Sequence, residues 1–131
     1  MAERLLIAGG TGFIGNHLVK YALQEGLEIT VLSLHLPTKE RRLEGVFYIQ
    51  VDLTDSLQLH ERLPYTSYEY VVNLSGYINH SSFLQDGRGT IDTHFLGLVN
   101  LIEELDWRVL KRFVQIGSSD EYGNLPAPQF E

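Results

Sequence analysis

The chain has 131 residues, enough for one domain and for a core that hides roughly two-thirds of the surface of the unfolded chain. Hydrophobic residues make up 44% and charged residues 21%, which excludes a disordered tract, and the lack of cysteine excludes disulfides, thiolate zinc sites, iron–sulfur clusters and cysteine nucleophiles. A net charge of -7 argues against a nucleic-acid partner, because affinity for a phosphate backbone needs clustered Lys and Arg. The apolar run beginning at Leu5 is too short for a signal segment or a membrane span, so the expectation is a cytoplasmic protein with no membrane partner.

Leu5 to Ala8 is an apolar run closed by glycines and reads as a buried strand. Thr11 to Gln24 has helical spacing, with Phe13, Ile14, Leu18, Val19 and Leu23 apolar, and Gly26 stands where such a helix ends. Glu28–Leu34 and Val46–Val51 read as strands rich in β-branched and aromatic residues. The charged stretch between them, His35 to Gly45, reads as either a partial helix or a loop. Asp55 to Leu63 reads as a short helix stopped by Pro64, and Tyr70 to Leu74 as a fourth strand. Thr90 to Leu105 carries a strong helical pattern, Arg112 to Ile116 reads as a fifth strand, and the tail from Tyr122 reads as loop. The order β-α-β-β-α-β-α-β, with strands apolar on both faces, predicts a parallel sheet covered by helices on both sides.

Between the first strand and first helix lies Gly9-Gly10-Thr11-Gly12-Phe13-Ile14-Gly15, with glycines spaced G-x-x-G-x-x-G. Gly9 permits a sharp turn off the strand, Gly12 lets backbone approach a pyrophosphate, and Gly15 lets the helix pack closely on the sheet. Free N–H groups at the helix start then face phosphate. A strand before and an amphipathic helix after are the contexts that make such a glycine pattern a dinucleotide-binding turn rather than a plain tight turn.

This turn resembles that of the extended short-chain dehydrogenases/reductases, the NAD(P)-dependent epimerase/dehydratase superfamily, with Ala8 where a Thr usually stands. Asp52-Leu53-Thr54-Asp55 resembles the segment that contacts adenine there, and Asn73-Leu74-Ser75-Gly76 the segment lying along the cofactor. Gly117-Ser118-Ser119-Asp120-Glu121-Tyr122-Gly123 resembles the S-S-x-x-x-Y-G segment after strand five. The resemblance implies an α/β, Rossmann-like doubly wound parallel sheet that occupies 1–131 and stops before a substrate domain. It implies cofactor contacts at Gly9, Gly12, Phe13, Ile14, Gly15, Asp52, Leu53, Leu74, Ser75 and Gly76. His94, in His94-Phe95-Leu96-Gly97-Leu98, stands where the family carries the Asn of N-x-x-G-T, and Ser118 stands where a Ser or Thr hydrogen-bonds the reacting oxygen.

The end of the second strand decides between the two nicotinamide dinucleotides, because a carboxylate there bonds the ribose 2′-OH and repels a 2′-phosphate. Ser33 stands in the segment Leu32-Ser33-Leu34-His35, which holds no carboxylate, and Lys39, Arg41 and Arg42 follow. The expectation is therefore NADP(H), with NAD(H) as the alternative. The family's catalytic Tyr-x-x-x-Lys is not found anywhere in the sequence, so the chain reads as the cofactor half of a longer enzyme and is not expected to turn over alone.

Ile116 to Gly123 resembles the I-G-S-S-E-E-Y-G of nucleotide-diphosphate 4-keto-6-deoxysugar reductases, which implies a dTDP- or GDP-4-keto-6-deoxyhexose reductase moving hydride from NADPH to C4. The alternatives are a nucleotide-sugar 4-epimerase and a non-catalytic NAD(P)-binding regulatory module. The implied partner is a nucleotide-diphosphate sugar, with a homodimer for the full-length form. No set of His, Asp and Glu has metal-ligand spacing. His17, His35 and His60 read as surface residues, Glu103 and Glu104 as a solvent face, Trp107 as a cover for the sheet edge, and Tyr77 to Arg88 as a loop near the substrate.

Overall fold

Strand formation follows the apolar runs, and each crossover returns the chain to the same end of a parallel sheet. The computed structural model describes residues 1–76, 83–118, 124, 126 and 128. Its strands are β1 (Arg4–Ala8), β2 (Glu28–Ser33), β3 (Val46–Gln50), β4 (Tyr70–Asn73) and β5 (Arg112–Gln115), all parallel in the order β3-β2-β1-β4-β5. The chain runs outward from β1 to β3, then crosses back to β4 on the other side of β1. The strand order therefore reverses between β1 and β4, and in such sheets that switch point opens a crevice at the carboxyl ends.

Helix α1 (Phe13–Gln24) covers one face. Its residues Val19 and Ala22 pack with Leu5, Ile7, Ile29 and Val31. The opposite face holds Leu6, Ala8, Leu32, Val71 and Leu101, closed by α2 (Ser56–Arg62) through Leu59. Gly26 ends α1 at φ 78°, the left-handed geometry that Gly adopts without penalty. Asp55 begins α2 by accepting from the N–H of Gln58 at 2.9 Å.

Several expectations are revised. The segment before β5 is helical from Phe83 rather than from Thr90. It comprises α3 (Phe83–Ile91), a π-helical turn (Asp92–Leu96) and α4 (Gly97–Glu103). Residues 83–88 are thus helix, not loop; Asp86 at φ -154° interrupts it beside Gly87 and Gly89, where glycines weaken helical continuity. The ambiguous stretch after β2 is loop around one 3-10 turn, Lys39–Arg41. Trp107 does not cover a sheet edge: it is exposed, and its indole N–H donates to the Ile102 carbonyl at the end of α4. Glu104 is half-buried and pairs with exposed His60 at 3.0 Å, joining α4 to α2. The edge strands are not apolar-covered on both faces, since Phe47 on β3 and Val114 on β5 are exposed. The tail from Tyr122, expected as loop, lies mostly outside the described residues.

Two measurements check this packing. Leu101 is fully buried, and Leu101→Ala is expected to cost about 2–5 kcal/mol in urea unfolding through lost contact and a residual cavity. Burial pushes the Tyr68 hydroxyl up to about 12, against the lowering effect of its bond to Thr30. The folded chain therefore holds that proton more tightly than the unfolded chain. The resulting stability is complete below pH 10 and is lost as pH rises toward about 12. Alkaline unfolding titrations of Tyr68→Phe should show a shallower fall in stability over that window.

Candidate functional site

The glycine turn sits at the switch point and is held there by the lack of side chains. Gly9 adopts φ 77°, and a Cβ on it would lie 2.8 Å from both the Leu74 carbonyl carbon and the Ser75 nitrogen. Gly15 is buried under the turn, where a Cβ would meet the Gly10 Cα at 2.5 Å. Gly12 differs: it starts α1 with an extended backbone, and its Cβ position has open space apart from the Gly9 carbonyl oxygen at 3.6 Å. Gly9 and Gly15 are thus required by close packing, while Gly12 leaves a bare stretch of backbone facing outward.

That backbone borders a cleft of about 580 Å³ at the carboxyl ends of β1, β2 and β4. Of the predicted contacts, Gly9, Gly12, Ser33, Asp52, Leu53, Leu74, Ser75 and Gly76 line it. Gly15 supports the turn from behind. Phe13 and Ile14 are exposed at the start of α1 and do not line this cleft; Phe13 instead borders a second cleft. His94 is not among the lining residues but lies against Gly76, its ring 3.1 Å from where a Cβ of Gly76 would be. Ser118 is exposed beyond β5 and is not among the lining residues, although Ile116, two residues earlier, donates its N–H to the Asn73 carbonyl. Ser119 to Gly123, with the carboxylates Asp120 and Glu121, lie outside the described residues.

Each wall has its own support. Asp52 accepts from both the N–H and the hydroxyl of Thr54, and its own N–H donates to the Gln58 side chain at 2.7 Å. The turn-forming and binding readings of Asp52 are therefore compatible, since the turn presents Leu53 to the cleft. Asn100 on α4 donates to the Leu53 carbonyl at 2.8 Å, and Gly97 brings α4 close to the Leu53 Cβ. Thr11 and Ser33 share a hydrogen bond at 2.8 Å, and Ser33 donates to the His35 carbonyl, so the Thr11 hydroxyl is the donor between them. Sequence reasoning missed Thr11, Thr54, Asp92 and Thr93 as lining residues, and Asn100 as a support. A polar Asn on the core side of an apolar helical pattern was the available signal for Asn100.

A second cleft of about 720 Å³ shares Thr11 and Gly12 and lies between α1 and the loop after β2. His17, Lys20, His35 and Arg41 border it, with Glu40 as its acidic member. Of the predicted loop cations, only Arg41 reaches it; Arg42 donates to the Pro37 carbonyl at 3.1 Å, and Lys39 lies outside the lining.

A profile of the NAD dependent epimerase/dehydratase family matches residues 5–131. The chain belongs to this family. A UDP-N-acetyl-alpha-D-glucosaminuronate decarboxylase of Bacillus cytotoxicus is 24% identical over 98% of the chain, and the human UDP-glucose 4-epimerase is 26% identical over 99% of it. The chain spans about 40% of the length of each of these relatives. The structure of a Thermus thermophilus UDP-glucose 4-epimerase in complex with NAD superposes with a TM-score of 0.63 at 31% identity, over 77% of this chain and 33% of that one. No helix among the described residues is long and apolar enough to cross a membrane.

The glycine geometry predicts opposite outcomes for two similar substitutions. Gly15→Ala should lower stability by about 2–3 kcal/mol, because the turn has no room to relax. Gly12→Ala should cost under about 1 kcal/mol, as expected at a helix cap with open space. Urea midpoints of the two variants measure the contrast.

Proposed function

We propose that this chain is the nicotinamide-dinucleotide-binding part of an enzyme that exchanges hydride at C4 of a nucleotide-diphosphate sugar. The observation that carries the reading is the cleft at the β1–β4 switch point, bordered by Gly9 and by the bare Gly12 backbone that leads into α1. The residues fit such a cofactor. Gly9, Gly12 and the first turn of α1 would hold the pyrophosphate. Asp52 and Leu53 would hold the adenine end on the β2–β3 side, and Leu74, Ser75, Gly76 and His94 the nicotinamide end on the β4–β5 side. Phe13 and Ile14, as the first residues of α1, would contribute their backbone N–H groups, with their side chains outside the cleft. When bound, the nicotinamide supplies the hydride acceptor and donor. Ser118 would hold the sugar oxygen by a hydrogen bond.

The Bacillus decarboxylase and the human epimerase support a UDP-sugar substrate, and the human and Thermus UDP-glucose 4-epimerases support the 4-epimerase reading. A reductase of a dTDP- or GDP-4-keto-6-deoxyhexose is the second reading. It is favoured by the string from Ile116 to Gly123 and by features that suit NADPH: Ser33 in place of a carboxylate, and Arg41 with His35 beside the second cleft. The apolar exposure of Leu84, Ile91 and Phe95 supports a homodimer in the full-length protein, which would work in the cytoplasm on soluble sugars.

Nicotinamide fluorescence titrations test the cofactor. Both NADPH and NADH should bind, NADPH more tightly. Gly12→Ala should weaken both by about tenfold with stability retained, through crowding of the phosphate path. Arg41→Ala should weaken NADPH by about tenfold and leave NADH unchanged, as for loss of one charge-assisted contact. Equal affinity for the two would overturn the NADP preference. With the full-length protein, interconversion of UDP-glucose and UDP-galactose identifies an epimerase; oxidation of NADPH by a nucleotide-linked 4-keto-6-deoxyhexose identifies a reductase.

A further inference from the structure

Asn73 ends β4 and is only 3% exposed, so both ends of its amide need partners. Its Oδ1 accepts from the N–H and the hydroxyl of Ser75. Its Nδ2 donates at 2.8 Å to Oε1 of Gln115, the residue directly opposite it on β5. Gln115 in turn donates from Nε2 to the Ile116 carbonyl at 3.0 Å.

A side-chain amide can turn over, exchanging oxygen for nitrogen with little change of shape, so its neighbours choose its orientation. A backbone carbonyl accepts only, which fixes Nε2 of Gln115 toward Ile116 and leaves Oε1 facing Asn73. Oε1 accepts only, which fixes Nδ2 of Asn73 toward it and leaves Oδ1 for Ser75. Turned over, Asn73 would aim N–H at the N–H of Ser75. The Ser75 peptide borders the cleft and lies against Gly9 with no room for a Cβ, so a change in its angle moves the cleft wall.

We infer that Gln115 is a positioning residue for the dinucleotide cleft, setting the amide of Asn73 so that Ser75 keeps the shape that meets the cofactor. Gln115 is exposed, lies outside the lining, and acts across the sheet through Asn73. The inference rests on the cofactor reading above.

The test is NADPH titration of the protein and its Gln115→Met and Gln115→Glu variants, with thermal melts alongside. Met keeps the length but removes the acceptor and should raise Kd about tenfold, the scale of one hydrogen bond. Glu keeps an accepting Oε and should return Kd to within about twofold of the unsubstituted protein, a rescue that a purely structural role would not give. Amide exchange at Ser75 should quicken in the Met variant alone. Met binding as tightly as the unsubstituted protein, or Glu failing to rescue, overturns the inference while leaving the cofactor reading intact. No NADPH binding by the unsubstituted protein overturns both.

Discussion

Backbone-to-backbone contact at the switch point is the constraint on which the rest depends. Gly9 touches the Leu74–Ser75 peptide, and Gly15 touches the Gly10 backbone, in both cases at distances that leave no space for a methyl group. The first contact brings the end of β1 against the segment after β4. The second seats α1 on the turn. Together they fix the direction of the first N–H groups of α1 relative to the sheet, and they do so with atoms that every residue has. The cost of such glycines in the unfolded chain is conformational entropy, offset here by packing that larger residues could not reach.

The cleft is then framed by polar clamps rather than by apolar packing alone. Leu53 is held from α4 by Asn100, Asp52 from α2 by Gln58, Ser33 from the turn by Thr11, and Ser75 from β4 by Asn73. Each clamp joins the cleft wall to a different element of the sheet or helical layer. An anion or sugar entering this space would meet groups whose orientation is set before it arrives, which lowers the entropy lost on binding.

Elements with strong local signals were legible in the sequence. The apolar runs gave all five strands within a residue or so at each end, and Gly26 marked the end of α1. The glycine spacing, the end of β2 and the segments after β3 and β4 located eight of the predicted contacts on one cleft. What was not legible depends on tertiary context. Residues 83–89 carry Asp86, Gly87 and Gly89, poor helix formers, and their helix was missed. Trp107 has the size of a sheet cover but finds a carbonyl at a helix end, which its indole N–H satisfies.

The π-helical turn at Asp92–Leu96 sits between two α-helical stretches. Such a turn holds one residue more than the α-helix it interrupts, and one residue is about 100° of rotation. The phase of α3 is thereby decoupled from that of α4. Gly97, Asn100 and Leu101 can face the core while Asp92 and Thr93 face the cleft, an assignment that an unbroken α-helix would have to reach with a different sequence. A single inserted residue therefore works as an angular adjustment, letting the same rod serve the core at one end and the cleft at the other.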